Sequence, residues 1–166
     1  MKVVPKPSSE AVRVRMQRTA QRDTPPELAL RSALHRLGLR FRVHVRPIRG
    51  LLRQADVAFP SARVAVFVDG CFWHGCPLHG TWPKANAEWW RAKIESNRAR
   101  DADTDRRLKA AGWTVVRVWE HEDPEEAAKR VAGLVGSARD VPAPRRGSSR
   151  RSGARRNRRV SARKDR

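Results

Sequence analysis

The stretch that most constrains the fold is the run "RVAVFVDG" at residues 63–70. Residues 64–68 are all apolar and show no alternation between polar and apolar positions. A strand that is apolar at every position has to be covered on both faces, as the central strands of layered α/β proteins are. The run therefore predicts a buried central strand with other elements packed around it.

The remaining sequence supplies the partners of this strand. Three further runs have the composition of strands, namely "RFRVHV" (residues 40–45), "QADVAF" (54–59) and "WTVVRVWE" (113–120). Three segments are predicted to be helical, at residues 24–37, 87–111 and 123–136. The order helix, three strands, loop, helix, strand, helix predicts an α/β fold, with a mixed β-sheet flanked by helices.

Two of these helices begin with the same combination of residues. Thr24 and Asp123 are good N-cap residues, each is followed by proline, and Glu27 and Glu126 stand three positions after them. The pattern predicts a capping box at each helix. A second interpretation of Glu27, as an active-site carboxylate, stays open at this point.

The chain is strongly basic, with a formal net charge of +20 among 166 residues. This much positive charge indicates a polyanionic partner, most often nucleic acid. Residues 137–166 carry half of the charge and little that a core needs, so we expect a disordered basic tail there. Residues 1–15 are interpreted as an irregular basic arm and residues 16–136 as the folded domain.

The sequence offers no sign of a membrane protein. No apolar run approaches the roughly 20 residues that a membrane span needs, and the start "MKVVPKPSSE" lacks the apolar centre of a signal peptide. We therefore expect a cytoplasmic protein. A reducing compartment disfavours a lone disulfide, so paired cysteines there more often bind metal or perform chemistry.

The only two cysteines lie in the loop "VDGCFWHGCPLHGTW" that follows the apolar run. Cys71, Cys76 and His79 provide three zinc-type ligands within nine residues, and His121, after the last strand, is the obvious fourth. Such a site, closed by four protein ligands, would be structural. The spacing is not a common zinc-finger pattern, so two free thiols or a disulfide remain alternatives.

Three other polar residues near this loop point to catalysis. Asp56 lies within an otherwise apolar strand, where a carboxylate is costly unless it is paired or binds metal. Asp69 ends the neighbouring strand, and two such carboxylates near one sheet edge are a common way to hold Mg²⁺ against a phosphate. His74, which zinc does not need, is a candidate general base.

The motifs "DGCFWHGCPLHG", "EWWRAKIESNRARD", "LKAAGW" and "RVWEH", in this order, resemble the very-short-patch-repair (Vsr) DNA mismatch endonucleases. The resemblance runs from about Met16 to about Gly136. It implies a restriction-endonuclease-like fold and a monomer that acts on double-stranded DNA near the bacterial nucleoid. The implied reaction nicks one strand 5′ to the thymine of a T:G mismatch, the lesion left when 5-methylcytosine deaminates, with catalytic Mg²⁺ and a structural Zn²⁺.

The resemblance also implies catalytic roles for particular residues. Asp56 matches the carboxylate that binds Mg²⁺, and Val68 stands where a backbone carbonyl completes that metal site. His74 matches the general base that activates the attacking water. Asp101 matches a carboxylate that supports the catalytic centre. Asp69 is included as a catalytic candidate, although the best-known members have a histidine at its position.

The same resemblance assigns residues to zinc and to DNA. The four zinc candidates fall where the family binds zinc, although their types and spacing differ from those of the best-known member. Phe72, Trp73 and Trp90 match aromatic residues that insert into the DNA stack beside the mismatch, and Met16 matches a residue that inserts from the other groove. Two further departures are Val68 in place of threonine and "QADVAF" where such nucleases often have a Pro-Asp pair.

Two other functions remain as alternatives. A non-catalytic protein that binds mismatched or distorted DNA would keep the aromatic residues and the zinc loop without turnover. A basic RNA-binding protein would explain the charge but neither a carboxylate within a strand nor the "CFWH" sequence. Because both Asp56 and His74 are present, the enzyme is the favoured interpretation.

Overall fold

The computed structural model describes Val14 and residues 22–140 of the chain. Met16, most of the predicted arm and residues 141–166 of the predicted tail lie outside the described residues. Among the described residues, none of the helices has the length and apolar character needed to cross a bilayer.

Seven elements form the described part of the chain. They are α1 (Pro25–Arg36), β1 (Arg42–Val45), β2 (Ala55–Phe59), β3 (Val64–Asp69), α2 (Ala87–Ala110), β4 (Thr114–Trp119) and α3 (Pro124–Asp140). The predicted order of helices and strands is confirmed. Helix α3 continues four residues beyond Gly136, where the predicted folded domain ended, so residues 137–140 are helical.

The strands form one mixed sheet in the order β1-β2-β3-β4. The first three are antiparallel neighbours, whereas β4 pairs with β3 in parallel. The parallel pair requires a long crossover, which the loop after β3 and helix α2 provide. The mixed sheet flanked by helices that the sequence predicted is therefore present.

Strand β3 is covered on both faces, as its uninterrupted apolar sequence requires. Val64 and Val66 belong to the core cluster that also contains residues of α1 and α3. Ala65 and Phe67 belong to a second cluster that contains Leu108 of α2. Alternate residues of one strand thus hold two helical layers on opposite sides of the sheet.

The sheet splits at one end, and this split positions the candidate site. The β2–β3 ladder ends at the pair Val57↔Val66, while the β3–β4 ladder continues to Asp69↔Trp119. Beyond the last β2–β3 pair, the backbone N–H of Val68 donates to the side chain of Asp56 at 2.7 Å. A carboxylate therefore lies where a ladder hydrogen bond would otherwise be.

The two predicted capping boxes form only in part. At α3, Asp123 Oδ1 accepts the backbone N–H groups of Glu125 and Glu126 at 2.9 and 3.0 Å, so the predicted N-cap is confirmed. Glu126 itself pairs with Lys129 instead of completing the box.

At α1 the roles are reversed. Glu27 accepts the backbone N–H of Asp23 at 3.0 Å and the hydroxyl hydrogen of Thr24 at 2.9 Å. Thr24 makes no side-chain bond to a backbone amide of the helix. The Glu27 side chain therefore folds back to the residues that precede the helix, as a capping box requires, but the Thr24 side chain does not cap the helix.

We predict that Asp123→Ala lowers the free energy of unfolding by about 1 kcal/mol, because two backbone N–H groups lose their acceptor. Asp123→Ser, which keeps an acceptor oxygen, should retain most of the stability. Thr24→Ala should cost less than Asp123→Ala, since no helix amide depends on Thr24. Denaturant unfolding of the three variants measures these differences, and equal losses for Thr24→Ala and Asp123→Ala would contradict the assignment of the caps.

Candidate active site

An open cleft of about 410 Å³ lies at the split end of the sheet. Its walls come from all layers of the fold, with Glu27, Arg53, Gln54, Asp56, Phe67, Val68, Asp69, His74, Arg100, Asp101, Thr104 and Arg117 lining it. All four residues predicted as catalytic line this one cleft. They come from β2, β3, the loop after β3 and α2.

Asp56 is the carboxylate at the start of β2. Its Oδ2 accepts the Val68 N–H, and among the described residues no donor is hydrogen-bonded to its Oδ1. Burial raises the pKa of Asp56 to about 6; the Val68 hydrogen bond opposes this, and the negative charges of Glu27 and Asp69 add to it. The chain thus holds a poorly compensated carboxylate at the cleft wall.

This arrangement fits a magnesium ligand. Mg²⁺ prefers oxygen ligands and is usually held by one or two carboxylates together with water and substrate phosphate. Within the part of the chain that the structure describes, one carboxylate oxygen of Asp56 has no hydrogen-bond donor, and the other binds the Val68 N–H. Asp69 lies at the same end of the sheet, as predicted, but Arg117 binds both of its oxygens. Asp56 is therefore the better metal ligand of the two.

His74 and Asp101 form a close pair across the cleft. The distance from His74 Nδ1 to Asp101 Oδ2 is 2.6 Å, and Asp69 Oδ1 lies 3.5 Å from the same nitrogen. Desolvation lowers the pKa of His74, but the hydrogen bond to Asp101 and the charge of Asp69 outweigh it, so the pKa is raised. Desolvation would raise the pKa of Asp101, yet the bond to His74 and the charge of Arg117 hold it below the ordinary value.

In this pair, only one ring nitrogen of His74 remains available to accept a proton. Because Nδ1 is bonded to a carboxylate, Nδ1 carries the proton and Nε2 is the proton-accepting nitrogen. His74 is held on one side by Asp101 of α2 and is only about one-fifth exposed. An oriented imidazole of this kind can act as a general base toward water.

The four predicted zinc ligands also come together. One ligand atom from each of Cys71, Cys76, His79 and His121 lies within 4.8 Å of the others. His121 Nδ1 is 3.1 Å from Cys71 Sγ and 3.8 Å from Cys76 Sγ. Ligands of a tetrahedral zinc are about 3.3–3.8 Å apart at ordinary bond lengths. The donor set and its spacing therefore fit zinc, and the two cysteines are not joined in a disulfide.

The tight loop that carries three of these ligands, Cys71, Cys76 and His79, requires Gly75. Its φ is +63°, and a Cβ there would lie 2.9 Å from Ile94 Cγ2 of α2. The backbone N–H of Cys71 donates to Glu120 Oε1 at 2.7 Å, which ties the loop to the end of β4 next to His121. The loop is thus fixed to both neighbouring elements.

The predicted DNA-contacting aromatic residues form a cluster beside His74. The ring centroids of Phe72 and Trp73 each lie within 6 Å of that of Trp90, at 5.1 and 5.9 Å. Phe72 and Trp73 are partly buried, whereas Trp90 is only 9% exposed. Trp90 therefore supports the other two rings in this conformation. Met16, the fourth residue of this set, lies outside the described residues.

Sequence reasoning missed Arg117, which binds Asp69 and contacts the Asp101 backbone. Arg117 is the only charged residue in the strand Thr114–Trp119. The reasoning that singled out Asp56, a charge in an otherwise apolar strand, applies equally to it and would have found it. Glu120, the acceptor of the Cys71 N–H, was also missed, and its position next to His121 is the only signal.

Glu27 has the helix-start role considered for it, and its active-site role stays a prediction. It is 5% exposed and accepts bonds from Asp23, Thr24 and Arg31 at the start of α1. It also lines the same cleft as Asp56. Its helix-start contacts explain its burial without any catalytic role.

The chain is similar to several known proteins. A family model described as DNA mismatch endonuclease Vsr matches residues 8–79. The type II nicking enzyme V.NaeI of Lentzea aerocolonigenes is 43% identical over 122 residues, which are 72% of this chain and 74% of that protein. The type II nicking enzyme V.XorIIP of Xanthomonas oryzae pv. oryzae is 45% identical over 117 residues, 69% of this chain and 83% of that protein. The DNA mismatch endonuclease Vsr of Escherichia coli K12 is 38% identical over 107 residues, 63% of this chain and 66% of that protein.

The raised pKa of Asp56 makes a prediction about stability. The ordinary pKa of an aspartate is 3.8, and that of Asp56 in the folded chain is about 6. At a pH between these two values, Asp56 keeps a proton in the folded chain that it has lost in the unfolded chain. The free energy of unfolding therefore falls as the pH rises through this window, and at pH 7 the charged carboxylate is destabilising. Asp56→Asn has no charge and keeps an oxygen for the Val68 N–H, so it should raise stability at pH 7 by about 1–3 kcal/mol.

Thermal unfolding of the Asp56→Asn variant at pH 7 and at pH 4, without added magnesium, measures this effect, which should shrink at pH 4. The control is Asp103→Asn on α2, because Arg53 holds the pKa of Asp103 below its usual range and its loss should not stabilise the fold. An Asp56→Asn variant that is less stable than the parent at pH 7 would contradict the assignment.

Proposed function

Since this chain belongs to the Vsr family of DNA endonucleases, we propose that it nicks one strand of duplex DNA 5′ to the thymine of a T:G mismatch, by magnesium-dependent phosphodiester hydrolysis. The observation that carries the proposal is the cleft lined by Asp56 and the His74–Asp101 pair, with Phe72 and Trp73 directly before His74 in the chain. The mixed sheet with helices on both faces is consistent with a restriction-endonuclease-like fold. The four residues proposed for catalysis all line one cleft of a single chain, so we propose that a monomer carries the complete site.

His74 is the proposed general base. Its Nε2 accepts the proton of the attacking water, while Asp101 at 2.6 Å keeps the proton on Nδ1 and stabilises the imidazolium that forms. The two carboxylates near Nδ1 raise the pKa of His74, which favours the protonated product of this step. The same residues therefore orient the base and stabilise it after proton transfer.

Asp56 is the proposed magnesium ligand, with the Val68 carbonyl as a second oxygen. Its unbonded oxygen and raised pKa describe a carboxylate that gains from a cation. Magnesium, when bound, supplies charge neutralisation at the phosphate. Asp69 does not take part in this site, because Arg117 occupies both of its oxygens.

Phe72 and Trp73 are the proposed unstacking residues, with Trp90 behind them. They immediately precede His74, so rings inserted into a base step would bring the neighbouring phosphate toward the cleft. Unstacking costs a few kcal/mol per step, and a mismatched step separates more cheaply than a paired one. The net charge of +20 supports binding to duplex DNA. Met16 stays a prediction for the opposite groove.

Zinc, if bound by Cys71, Cys76, His79 and His121, is structural. The two cysteines bracket the segment that contains Phe72, Trp73 and His74. Fixing both ends of this segment, which has four residues between the cysteines, would hold Phe72, Trp73 and His74 at constant distances from one another. The site has four protein ligands and leaves no open position for substrate.

We predict that the full chain nicks a T:G duplex in Mg²⁺ and that His74→Ala and Asp56→Ala each lower the single-turnover rate by at least about 100-fold. Glu126→Gln, an exposed change on α3, is the control and should nick like the parent. The measurement uses duplexes with each mismatch, with and without Mg²⁺. Selective binding to T:G without nicking would favour the non-catalytic alternative, and equal nicking of all duplexes would contradict mismatch specificity.

We predict one zinc per chain, and a melting temperature that chelation lowers by on the order of 10 °C because ligand binding contributes to folding. Cys76→Ser should reduce the zinc content and reproduce the loss of stability. His35→Gln on α1, which is not a proposed ligand, is the control. Elemental analysis of freshly purified protein that finds no zinc would contradict this site.

A further inference from the structure

Arg117 is the most highly connected side chain in the cleft. Its Nη1 donates to both oxygens of Asp69 at 2.8 and 3.0 Å. Its Nη2 donates to Asp105 Oδ1 at 2.9 Å and to the backbone carbonyl of Asp101 at 3.3 Å, and its Nε donates to Asp105. Every nitrogen of the guanidinium is therefore engaged, and its plane lies over the ring of Phe67 at 4.9 Å.

These partners lie on different parts of the fold. Asp69 ends β3 in the sheet, Arg117 itself is in β4, and Asp101 and Asp105 are on helix α2. The proposed reaction needs groups from both parts, because Asp56 is on the sheet and Asp101 is on the helix. Arg117 joins the helix to the sheet at the point where His74 binds Asp101.

We propose that Arg117 is a positioning residue, which holds Asp69 away from His74 and holds Asp101 against it. Asp69 Oδ1 lies 3.5 Å from His74 Nδ1, near enough to compete with Asp101 for its proton. Arg117 occupies both Asp69 oxygens, and its bond to the Asp101 carbonyl fixes the helix turn from which the Asp101 side chain extends. Without Arg117, two carboxylates compete for one imidazole N–H.

The contacts argue against two other roles for Arg117. A phosphate-binding arginine needs free donors, whereas the donors of Arg117 are directed at three aspartates. Arg117 binds Asp69, which lies 3.5 Å from the proposed base His74, and it also binds Asp101, which lies 2.6 Å from His74. A purely structural arginine would have no need of both contacts. The inference also explains Asp69, which serves as the anchor of Arg117 on the sheet.

The test compares Arg117→Met, Arg117→Lys and Asp105→Asn with the parent chain. Arg117→Lys keeps a positive charge for Asp69 but cannot reach three groups at once, because an ammonium lacks the planar fork of a guanidinium. Asp105→Asn weakens the link to α2 without touching Asp69 or His74. Arg36→Met, which removes an ion-paired arginine on α1 away from the cleft, is the control.

The first readout does not depend on DNA. The Nδ1–H proton of His74, identified by its loss in His74→Gln, should resonate far downfield in the parent because of its short bond to Asp101. It should move upfield or disappear in both Arg117 variants and in Asp105→Asn, and stay unchanged in Arg36→Met. If the parent shows no such proton, or if all the Arg117 and Asp105 variants keep it at the parental position, the inference is overturned.

The second readout rests on the proposed function. Single-turnover nicking at saturating protein should fall by roughly 10- to 100-fold in the Arg117 variants, since small misplacements of catalytic groups cost this much. Affinity for the T:G duplex should stay within about twofold of the parent, since every guanidinium nitrogen of Arg117 is already hydrogen-bonded within the protein. A parallel loss of affinity would contradict a positioning role.

A double-mutant cycle links the two residues directly. Asp101→Asn should slow nicking strongly in the parent chain but add little in Arg117→Lys or Asp105→Asn, because Asp101 no longer holds His74 there. Fully additive effects would overturn the inference. If Arg117→Met does not fold, the other two variants decide the question. If the parent nicks no duplex but the proton still depends on Arg117, the proposed function fails and the positioning role stands.

Discussion

The carboxyl end of β3 is the constraint on which the rest of the site depends. The ladder with β2 stops at Val57↔Val66, and the ladder with β4 continues to Asp69↔Trp119. The end of β3 is therefore paired with β4 but no longer with β2. Asp56 lies on the unpaired side, on β2. Asp69 ends β3 itself, and Arg117 lies on the paired side, on β4. The loop that leaves this strand end carries three of the four proposed zinc ligands, the aromatic pair and His74.

Burial affects the two carboxylates of this region in different ways. Both have a raised pKa, with desolvation as the largest cause. Asp69 is compensated by Arg117, whose Nη1 donates to both of its oxygens, whereas Asp56 has one backbone N–H as its only described donor. A carboxylate left short of partners destabilises the fold but is ready to bind a cation. Such a local loss of stability is common where the chain has to perform chemistry.

The loop from Cys71 to Cys76 combines two proposed functions within one short segment. Its ends belong to the zinc-type cluster, and its interior carries Phe72, Trp73 and His74. Helix α2 secures it from the other side, since Asn97 donates to the Trp73 carbonyl at 2.8 Å and Asp101 binds His74. A change in how α2 packs on the sheet would therefore reach the base and the aromatic edge together.

The sequence by itself determined the order of elements, the burial of β3 and the residues of the cleft that stand out chemically. Its apolar periodicity is local information, and motifs as specific as "DGCFWHGCPLHG" indicate a family before any distance is known. Asp56, His74, Asp101 and the four zinc candidates were all identifiable in this way. The sequence also indicated the N-cap at Asp123, which is local, but misassigned the role of Thr24, since the Glu27 carboxylate accepts its hydroxyl hydrogen.

Only the tertiary structure decided which charges meet. Asp69 was expected to be close to Asp56 at one sheet edge, and the two are at that edge, but Arg117 binds both oxygens of Asp69, which is therefore not proposed as a metal ligand. Trp90, which the resemblance assigns to insertion into DNA, packs behind Phe72 and Trp73. In both cases the deciding partner is distant in sequence. Side-chain pairing across a sheet and a crossover helix depends on three-dimensional distances, which no local pattern of residues contains.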